Sequence, residues 1–333
     1  MVGDGPDATA GVSEVDRLVT QHGIKVILGG YGSGIEGATQ KAAERLKVLN
    51  LGLVNWGDFL TQGGLKYYFR WTPPVSKYSA TFASQAVWLG KEYIKKQPGD
   101  LKVGLIHSDA TAFVADPVVK HLADAGIKMA LKEMYPGDIK DFTSTIMKLR
   151  GAKLDILLAA QYTADGLLFR RQMKALKYDP PIMYGAGMIH DQPEFAQLGE
   201  AADGVVALSY TNPEMNPNVA PGLAEFRAEY IKRFGHPPLT HALQAYAGTQ
   251  VFLGIIDKVG SFDVEKMIDA LLKAELPPGQ TAAYWGLKFD PQTHQNMRAG
   301  EPFVMAQWQD GGKFKVVWPE KFAVAPLRIP YTK

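Results

Sequence analysis

The sequence predicts an α/β protein, with parallel sheets covered by helices on both faces and the mass divided between two domains or two interleaved lobes. Three observations carry this. Short apolar runs alternate with helical patterns along most of the chain, the succession that builds parallel sheets. Runs such as "ILLAA" (156–160) are apolar at every position, as expected for strands covered on both faces. A chain of 333 residues also exceeds what a single core usually organises.

Taken in order, "TAGVSEVDRLVTQHG" reads as a helix, "IKVILGG" as a buried strand, "GIEGATQKAAERLKVLN" as a helix and "LGLVNW" as a strand. "SKYSATFASQAVWLGKEYIKKQPGD" reads as one long helix ending at Pro-Gly-Asp. The alternation continues through "KVGLIHSD" (strand), "FVADPVVKHLADAGI" (helix), "KMALKEMYP" (strand) and "DFTSTIMKLRGAK" (helix). Then come "LDILLAAQY" (strand), "TADGLLFRRQMKALKYD" (helix), "PPIMYGAG" (strand) and "ADGVVALSY" (strand). After the loop "TNPEMNPNVAPG" three helices follow, in "LAEFRAEYIKRFG", "HPPLTHALQAYAGTQVFLGIIDKVG" and "FDVEKMIDALLKA". The tail "PFVMAQWQDGGKFKVVWP" alternates around Asp-Gly-Gly and reads as an antiparallel hairpin.

Composition narrows the function. Net charge is +2 and no long basic run stands out, so there is no case for nucleic acid. Cysteine is absent, which excludes a disulfide framework, a thiolate nucleophile and a Cys-ligated metal. The longest apolar stretches, such as "AYAGTQVFLGII", are too short to span a bilayer, so no direct membrane insertion is expected. The opening "MVGDGPDATAG" is polar and loop-like, unlike a signal peptide. His236 and His241, five apart around two prolines, lack the i,i+4 helical register and cysteine partners of a zinc site. No metal and no cofactor is expected.

The chemistry-bearing motif is "VILGGYGSGIEG", in which Gly32, Gly34 and Gly37 spell G-x-G-x-x-G. Glycines between a strand and a helix let backbone N–H groups face an anion at the positive end of the helix. Three readings stand: a dinucleotide site, a small-ligand cradle and a structural turn. The dinucleotide reading wants the first strand of the domain and an acid ending the next strand. Here a helix precedes the strand, and the next strand ends in "VNWGD", with Trp56 where a ribose would lie. Ser33 suits an N-cap. "GYGSG" has the wrong spacing for a nucleophile elbow.

The ordered segments "DGPDATAGVSEVDRLVTQHGIKVILGGYGSG", "FLTQGGLKYYFRWTPP", "KVGLIHSD", "DFTSTIMKLRGAKLDILLAAQYTADGLLFRRQMKAL" and "QWQDGGKFKVVWPE" resemble the type I periplasmic binding proteins. The branch most resembled is the leucine/isoleucine/valine-binding group of ABC-transporter solute receptors. The resemblance implies two doubly wound parallel-sheet lobes joined by hinge crossovers, lobe I at 1–75 and 210–289 and lobe II at 76–209 and 290–333. It implies a receptor without enzymatic activity that closes on a small-molecule ligand and delivers it to an ABC-transporter membrane permease. The place would be the periplasm, or the cell exterior, membrane-associated, in a Gram-positive organism.

By the same resemblance, Tyr31, Gly32 and Ser33 would present N–H groups and a hydroxyl to a ligand carboxylate, and Asn55, Trp56 and Gly57 would complete that wall. Lobe II would add Asp109 to Phe113 and the aromatic Tyr162, with Tyr210 near a hinge. Amino-acid-binding members place an acid where Ala186 stands, so an ammonium would enter without a partner unless Asp109 or Asp165 substitutes. A small carboxylate or amide, aromatic acids included, fits better. The family's opening strand–helix–strand is expected to be missing from lobe I. A nicotinamide-dependent oxidoreductase using "GSGIEG", and a ligand-sensing module of the same fold, are the rival readings.

Overall fold

The computed structural model describes residues 8–186, 190–301 and 303–331. Two compact units share the chain: unit 1 comprises Met1–Val75 and Ala220–Pro302, unit 2 comprises Ser76–Val219 and Phe303–Lys333. Two boundaries differ from those expected. Residues 210–219 belong to unit 2, where Tyr210 stacks on Tyr78 (4.7 Å) and the Asn216 N–H donates to the Phe322 carbonyl (3.0 Å). Residues 290–302 belong to unit 1, where Gln295 bridges Arg70 and the Asn296 amide donates to the Gly286 carbonyl (3.0 Å).

Unit 1 opens with α1 (Ala8–His22), β1 (Val26–Leu28), α2 (Ser33–Leu46), β2 (Leu49–Gly52) and β3 (Tyr68–Arg70). Unit 2 continues with α3 (Val75–Leu89, its first residue still in unit 1), β4 (Val103–Ser108), α4 (Ala112–Asp124), β5 (Leu131–Tyr135) and α5 (Thr143–Gly151). It goes on with β6 (Ile156–Ala160), α6 (Thr163–Ala175), β7 (Ile182–Gly185) and β8 (Val206–Ser209). The chain returns to unit 1 for α7 (Leu223–Phe234), α8 (Thr240–Val259), α9 (Val264–Lys273) and the two-residue strands β9 (Glu275–Leu276) and β10 (Leu287–Lys288). It ends in unit 2 with β11 (Val304–Gln309) and β12 (Lys313–Trp318).

Three elements depart from the sequence pattern. The long helix expected to run to the Pro-Gly-Asp stops at Leu89 and passes into a π turn over Gly90–Ile94. Gly90 is where Leu101 presses in: a Cβ there would stand 2.3 Å from its side chain. Strand β2 ends at Gly52, so Asn55 and Trp56 lie in the loop beyond rather than on the strand. Strand β3, within "KYYFRW", carries no alternation and escaped the pattern.

Among the described residues, unit 1 has a parallel sheet of order β1-β2-β3, with Val26 opposite Leu49 and Asn50 opposite Tyr68. Unit 2 has a sheet of order β12-β11-β8-β7-β6-β4-β5, parallel from β5 to β8 and extended by the antiparallel β11 and β12. Its strand order reverses direction at β4 and β6, which places a crevice at their C-terminal ends. An apolar cluster within it joins Phe142, Phe169, Phe195 and Trp308 to Ile106, Leu157 and Met183. No described helix is long and apolar enough to cross a membrane.

Candidate functional site

In unit 1 the site grows from the turn between β1 and α2. Gly32 has φ 97°, a conformation that side chains resist, and it forms the N-cap of α2 without a side-chain capping bond. Ser33, expected as that cap, is instead the first helical residue. Its Oγ accepts hydrogen bonds from the Trp56 N–H (3.2 Å) and the Gly57 N–H (3.0 Å). The hydroxyl thus ties the β2 loop to the start of α2, and those two amides serve the tie. The leading N–H groups of α2 therefore have no side-chain cap. Gly37 serves packing: a Cβ on it would lie 2.8 Å from the Phe59 ring, and one on Gly57 would lie 2.6 Å from the same ring. Gly34 opens onto free space.

Asn55 is buried, and its amide donates to the Gly30 carbonyl (3.0 Å), while its own carbonyl accepts from the Thr72 hydroxyl. The buried guanidinium of Arg70 donates to the Gly57 carbonyl and to the Thr61 hydroxyl (3.2 Å). Trp56 is half-buried, and its carbonyl accepts from the Val75 N–H (2.8 Å). Its indole stacks on the imidazole of His241, with ring centroids 5.4 Å apart and planes 18° apart. Tyr31, 63% exposed, stands edge-on to the same imidazole at 5.5 Å. His241 lies in the first turn of α8, which also has no side-chain cap. Burial pushes its pKa down to about 4, so the ring is neutral at pH 7.

The arrangement brings the N-termini of a 14-residue and a 20-residue helix to one aromatic cluster. Both helix ends favour negative charge, each worth about 0.3–1 kcal/mol at an exposed site. The cluster holds no cationic side chain, since His241 is neutral.

In unit 2 the expected residues gather at the ends of β4 and β6. Asp109 begins the turn after β4, is exposed, and accepts the Ala110 N–H (2.7 Å). The Thr111 hydroxyl bridges to the Ala160 carbonyl (2.7 Å), fastening that turn to the end of β6. Phe113 and Tyr162 are 46% and 43% exposed, Phe113 in α4 and Tyr162 as the N-cap of α6. Ala186 follows β7, is fully buried, and donates its N–H to the Ala159 carbonyl (2.8 Å). Asp165 is buried and accepts the Tyr135 hydroxyl (2.5 Å); desolvation, then that bond, push the tyrosine pKa far up.

Sequence reasoning missed two groups. His241 was weighed only as a zinc ligand, although "PPLTHALQ" places it where a helix starts. Asp191, five residues past Ala186, is a buried carboxylate that accepts the Ser209 hydroxyl (2.9 Å) and the Gln192 amide (2.6 Å). Among the described residues no three His, Asp or Glu side chains are grouped to hold a metal.

Residues 3–313 match the family described as "Periplasmic binding protein". The chain belongs to that family. A leucine/isoleucine/valine-binding protein homolog 7 of Brucella suis biovar 1 (strain 1330) is 32% identical over 339 residues, covering 98% of this chain and 82% of the relative. Among solved structures, a Rhodopseudomonas palustris ABC-transporter solute-binding protein in complex with benzoate matches with a TM-score of 0.76 at 17% identity, covering 100% of this chain and 87% of that one. The branched-chain amino acid transporter substrate-binding protein LivJ of Streptococcus pneumoniae, in complex with isoleucine, gives 0.74 at 19% identity, covering 94% and 85%. The fold is that of a type I periplasmic binding protein of the leucine/isoleucine/valine branch. Such proteins are receptors, not enzymes, so the oxidoreductase reading of "GSGIEG" falls. Within a periplasmic binding protein the three glycines have separate duties: Gly32 makes the turn, Gly37 admits Phe59, and Gly34 leaves the helix start open.

Proposed function

We propose that the chain is the solute-binding receptor of an ABC importer and takes a small carboxylate or amide with a flat, apolar body. The observation that carries this is the meeting of two uncapped helix N-termini at the Tyr31–His241–Trp56 cluster. A carboxylate fits there on N–H groups of Ser33 and Gly34 without a cation, and a planar body fits against the indole. The receptor works outside the cytoplasmic membrane, in the periplasm or on the surface of a Gram-positive cell, and passes its solute to a membrane permease. Closure at the crossovers between the units is the motion we assign to it, and Asp109, Phe113 and Tyr162 are unit 2's contribution to ligand contact.

The relative's name and the isoleucine complex favour a branched-chain amino acid, while the benzoate complex favours an aromatic acid. The residues lean to the second. Ala186 offers no carboxylate to an ammonium, Asp165 is occupied by Tyr135, and Asp109, the remaining acid among the assigned contacts, is exposed and already accepts the Ala110 N–H. An exposed carboxylate is a weak partner for a buried ammonium, and burying that charge unpaired costs several kcal/mol.

The test is a calorimetric and thermal-shift screen of benzoates, small amides, leucine and valine. A ligand at 100 times its Kd adds about 2.7 kcal/mol of stability. Trp56→Ala is expected to weaken benzoate binding about 2- to 10-fold, the worth of one aromatic pairing, and to leave aliphatic ligands closer to unchanged. Tight leucine binding with every benzoate inert refutes the proposal.

A further inference from the structure

His107 is the last residue but one of β4, 1% exposed, between Met134 of β5 and Ala160 of β6. Its Nδ1 lies 2.7 Å from the Ser108 carbonyl. A carbonyl only accepts, so the proton is on Nδ1 and Nε2 is a bare acceptor. That Nε2 is buried and meets no hydrogen-bond partner among the described residues. Ser108 also roots the turn after β4. The Thr111 hydroxyl lies 3.1 Å from both its Oγ and its carbonyl, and 2.7 Å from the Ala160 carbonyl. Thr111 has one hydroxyl proton, and the shorter contact takes it. Of the two side chains at the Ser108 carbonyl, the imidazole is therefore the one that donates. The turn it steadies carries Asp109 and leads to Phe113.

A proton on Nε2 would put a charge in a desolvated place. Burial already holds the ring's pKa below its ordinary value. The charged groups that act on the ring are Lys132 of β5, Asp116 of α4 and Asp109 of the turn. Strand β6 opposes it with the uncharged Ala160. Lys132 and Asp116 pair with each other at 2.7 Å, whereas Asp109 is exposed and holds no cation among the described residues. The counter-charge left for an imidazolium thus lies in the turn itself.

We propose that His107 is a positioning residue of the turn over 108–113 and works as a pH-operated latch. Neutral, it holds the Ser108 carbonyl; protonated, it leaves that carbonyl for Asp109 and loosens the turn. The effect on solute binding rests on the ligand-contact reading of Asp109 and Phe113, and the latch itself does not.

Hydrogen exchange of the full chain at about pH 7.5 and about pH 5, corrected for intrinsic rates, tests it. Below about pH 6.5, each unit of acid favours the protonated, open turn by up to about 10-fold, until the folded-state value is passed. Protection over 108–113 is expected to fall several-fold while that of β6 holds. His107→Asn keeps an N–H near the Nδ1 position and does not titrate, so its turn should stay protected at both pH values. His107→Leu has no donor and should leave the turn open at both. Nitrogen chemical shifts of the wild-type ring give a check that needs no variant. Nδ1 protonated and Nε2 bare is expected at neutral pH, and the reverse overturns the inference. Protection unchanged by acid, lost equally from β6, or lost as steeply in His107→Asn overturns it as well. One further outcome separates the two readings. If the turn loosens in acid while the affinity for benzoate or leucine, whichever the solute screen retains, stays constant, the latch stands and the contact reading of Asp109 and Phe113 falls.

Discussion

Strands β1 and β6 are both short apolar runs in parallel sheets, yet every residue of β6 is buried whereas Leu28 of β1 is 41% exposed. The difference is one of neighbours. Strand β6 lies between β4 and β7, and Phe142, Ile146 and Phe169 from the covering segments join its Leu157 and Ala159 in one cluster. Strand β1 pairs with β2 alone among the described strands, and beside it runs an open groove of about 960 Å³ lined by Val26, Leu28, Tyr246, Leu253 and Phe262. Unit 1 holds its loops with polar ties instead. Glu44 accepts the N–H groups of Lys66 and Tyr67, Arg70 grips the Gly57 carbonyl, and Asn296 clasps Gly286. An open parallel edge is a liability, and it sits on the unit that carries the two helix N-termini of the site.

The sharpest way to break this comparison is to remove one buried indole from each unit. Trp71 in unit 1 packs against Trp285 and against Gly248, while Trp308 in unit 2 packs against Phe195 and donates to the His190 carbonyl (2.7 Å). Each truncation to alanine is expected to cost about 3–5 kcal/mol. If the units are separately stabilised, calorimetry of Trp71→Ala shows an early transition absent from Trp308→Ala, because unit 1 starts with less apolar cover. Identical single transitions in both variants would mean that the units unfold as one and that the contrast between their sheets has no energetic consequence.

Unit 2 was legible in the sequence because its strands are buried on both faces and read as unbroken apolar runs, "ILLAA" above all. Unit 1 was legible at the glycine loop, where a turn demands Gly32. It was opaque at β3, whose Arg70 is buried for the sake of hydrogen bonds that no periodicity announces. The role of Ser33 was misjudged for a related reason: capping is local and can be read from neighbours in sequence, whereas its bonds to the amides of Trp56 and Gly57 join residues more than twenty positions apart. His241 is further still from the glycine loop in sequence, and only the return of the chain as α8 brings the two together.

Acidification should separate the units by a smaller amount. Burial lowers the pKa of His241 to about 4 and also lowers those of His294 in unit 1 and His107 in unit 2. For a histidine shifted down, the unfolded chain binds more protons between the folded value and the ordinary value near 6.5. Stability is therefore full above about pH 6.5 and falls as the pH drops toward 4, by at most about 1.4 kcal/mol per pH unit for His241. Water reaching a half-buried ring reduces that figure. The ring shifted furthest, His241, belongs to unit 1, which is expected to lose stability as the pH falls. His241→Phe should flatten the loss between pH 6.5 and 4 in urea titrations. An unchanged pH slope in that variant would show that the ring is not the group responsible.

The smallest effect on stability is expected inside the glycine motif itself. Gly32→Ala forces a side chain onto φ 97° and should cost more than about 1 kcal/mol. Gly37→Ala drives a methyl to 2.8 Å from the Phe59 ring, which is half-exposed and able to turn aside. Gly34→Ala meets nothing within 4 Å, and alanine is the better helix former, so stability should stay within about 0.5 kcal/mol of wild type or rise. Ligand affinity should not follow stability. If a carboxylate rests on the first turn of α2, the new methyl intrudes on the space it occupies. Overpacking of about 1–3 kcal/mol would then weaken binding roughly 5- to 150-fold. Thermal melts of Gly34→Ala with and without the best benzoate separate the two quantities. A variant as stable as wild type that also binds as tightly would place the ligand elsewhere and leave Gly34 with no role in the site.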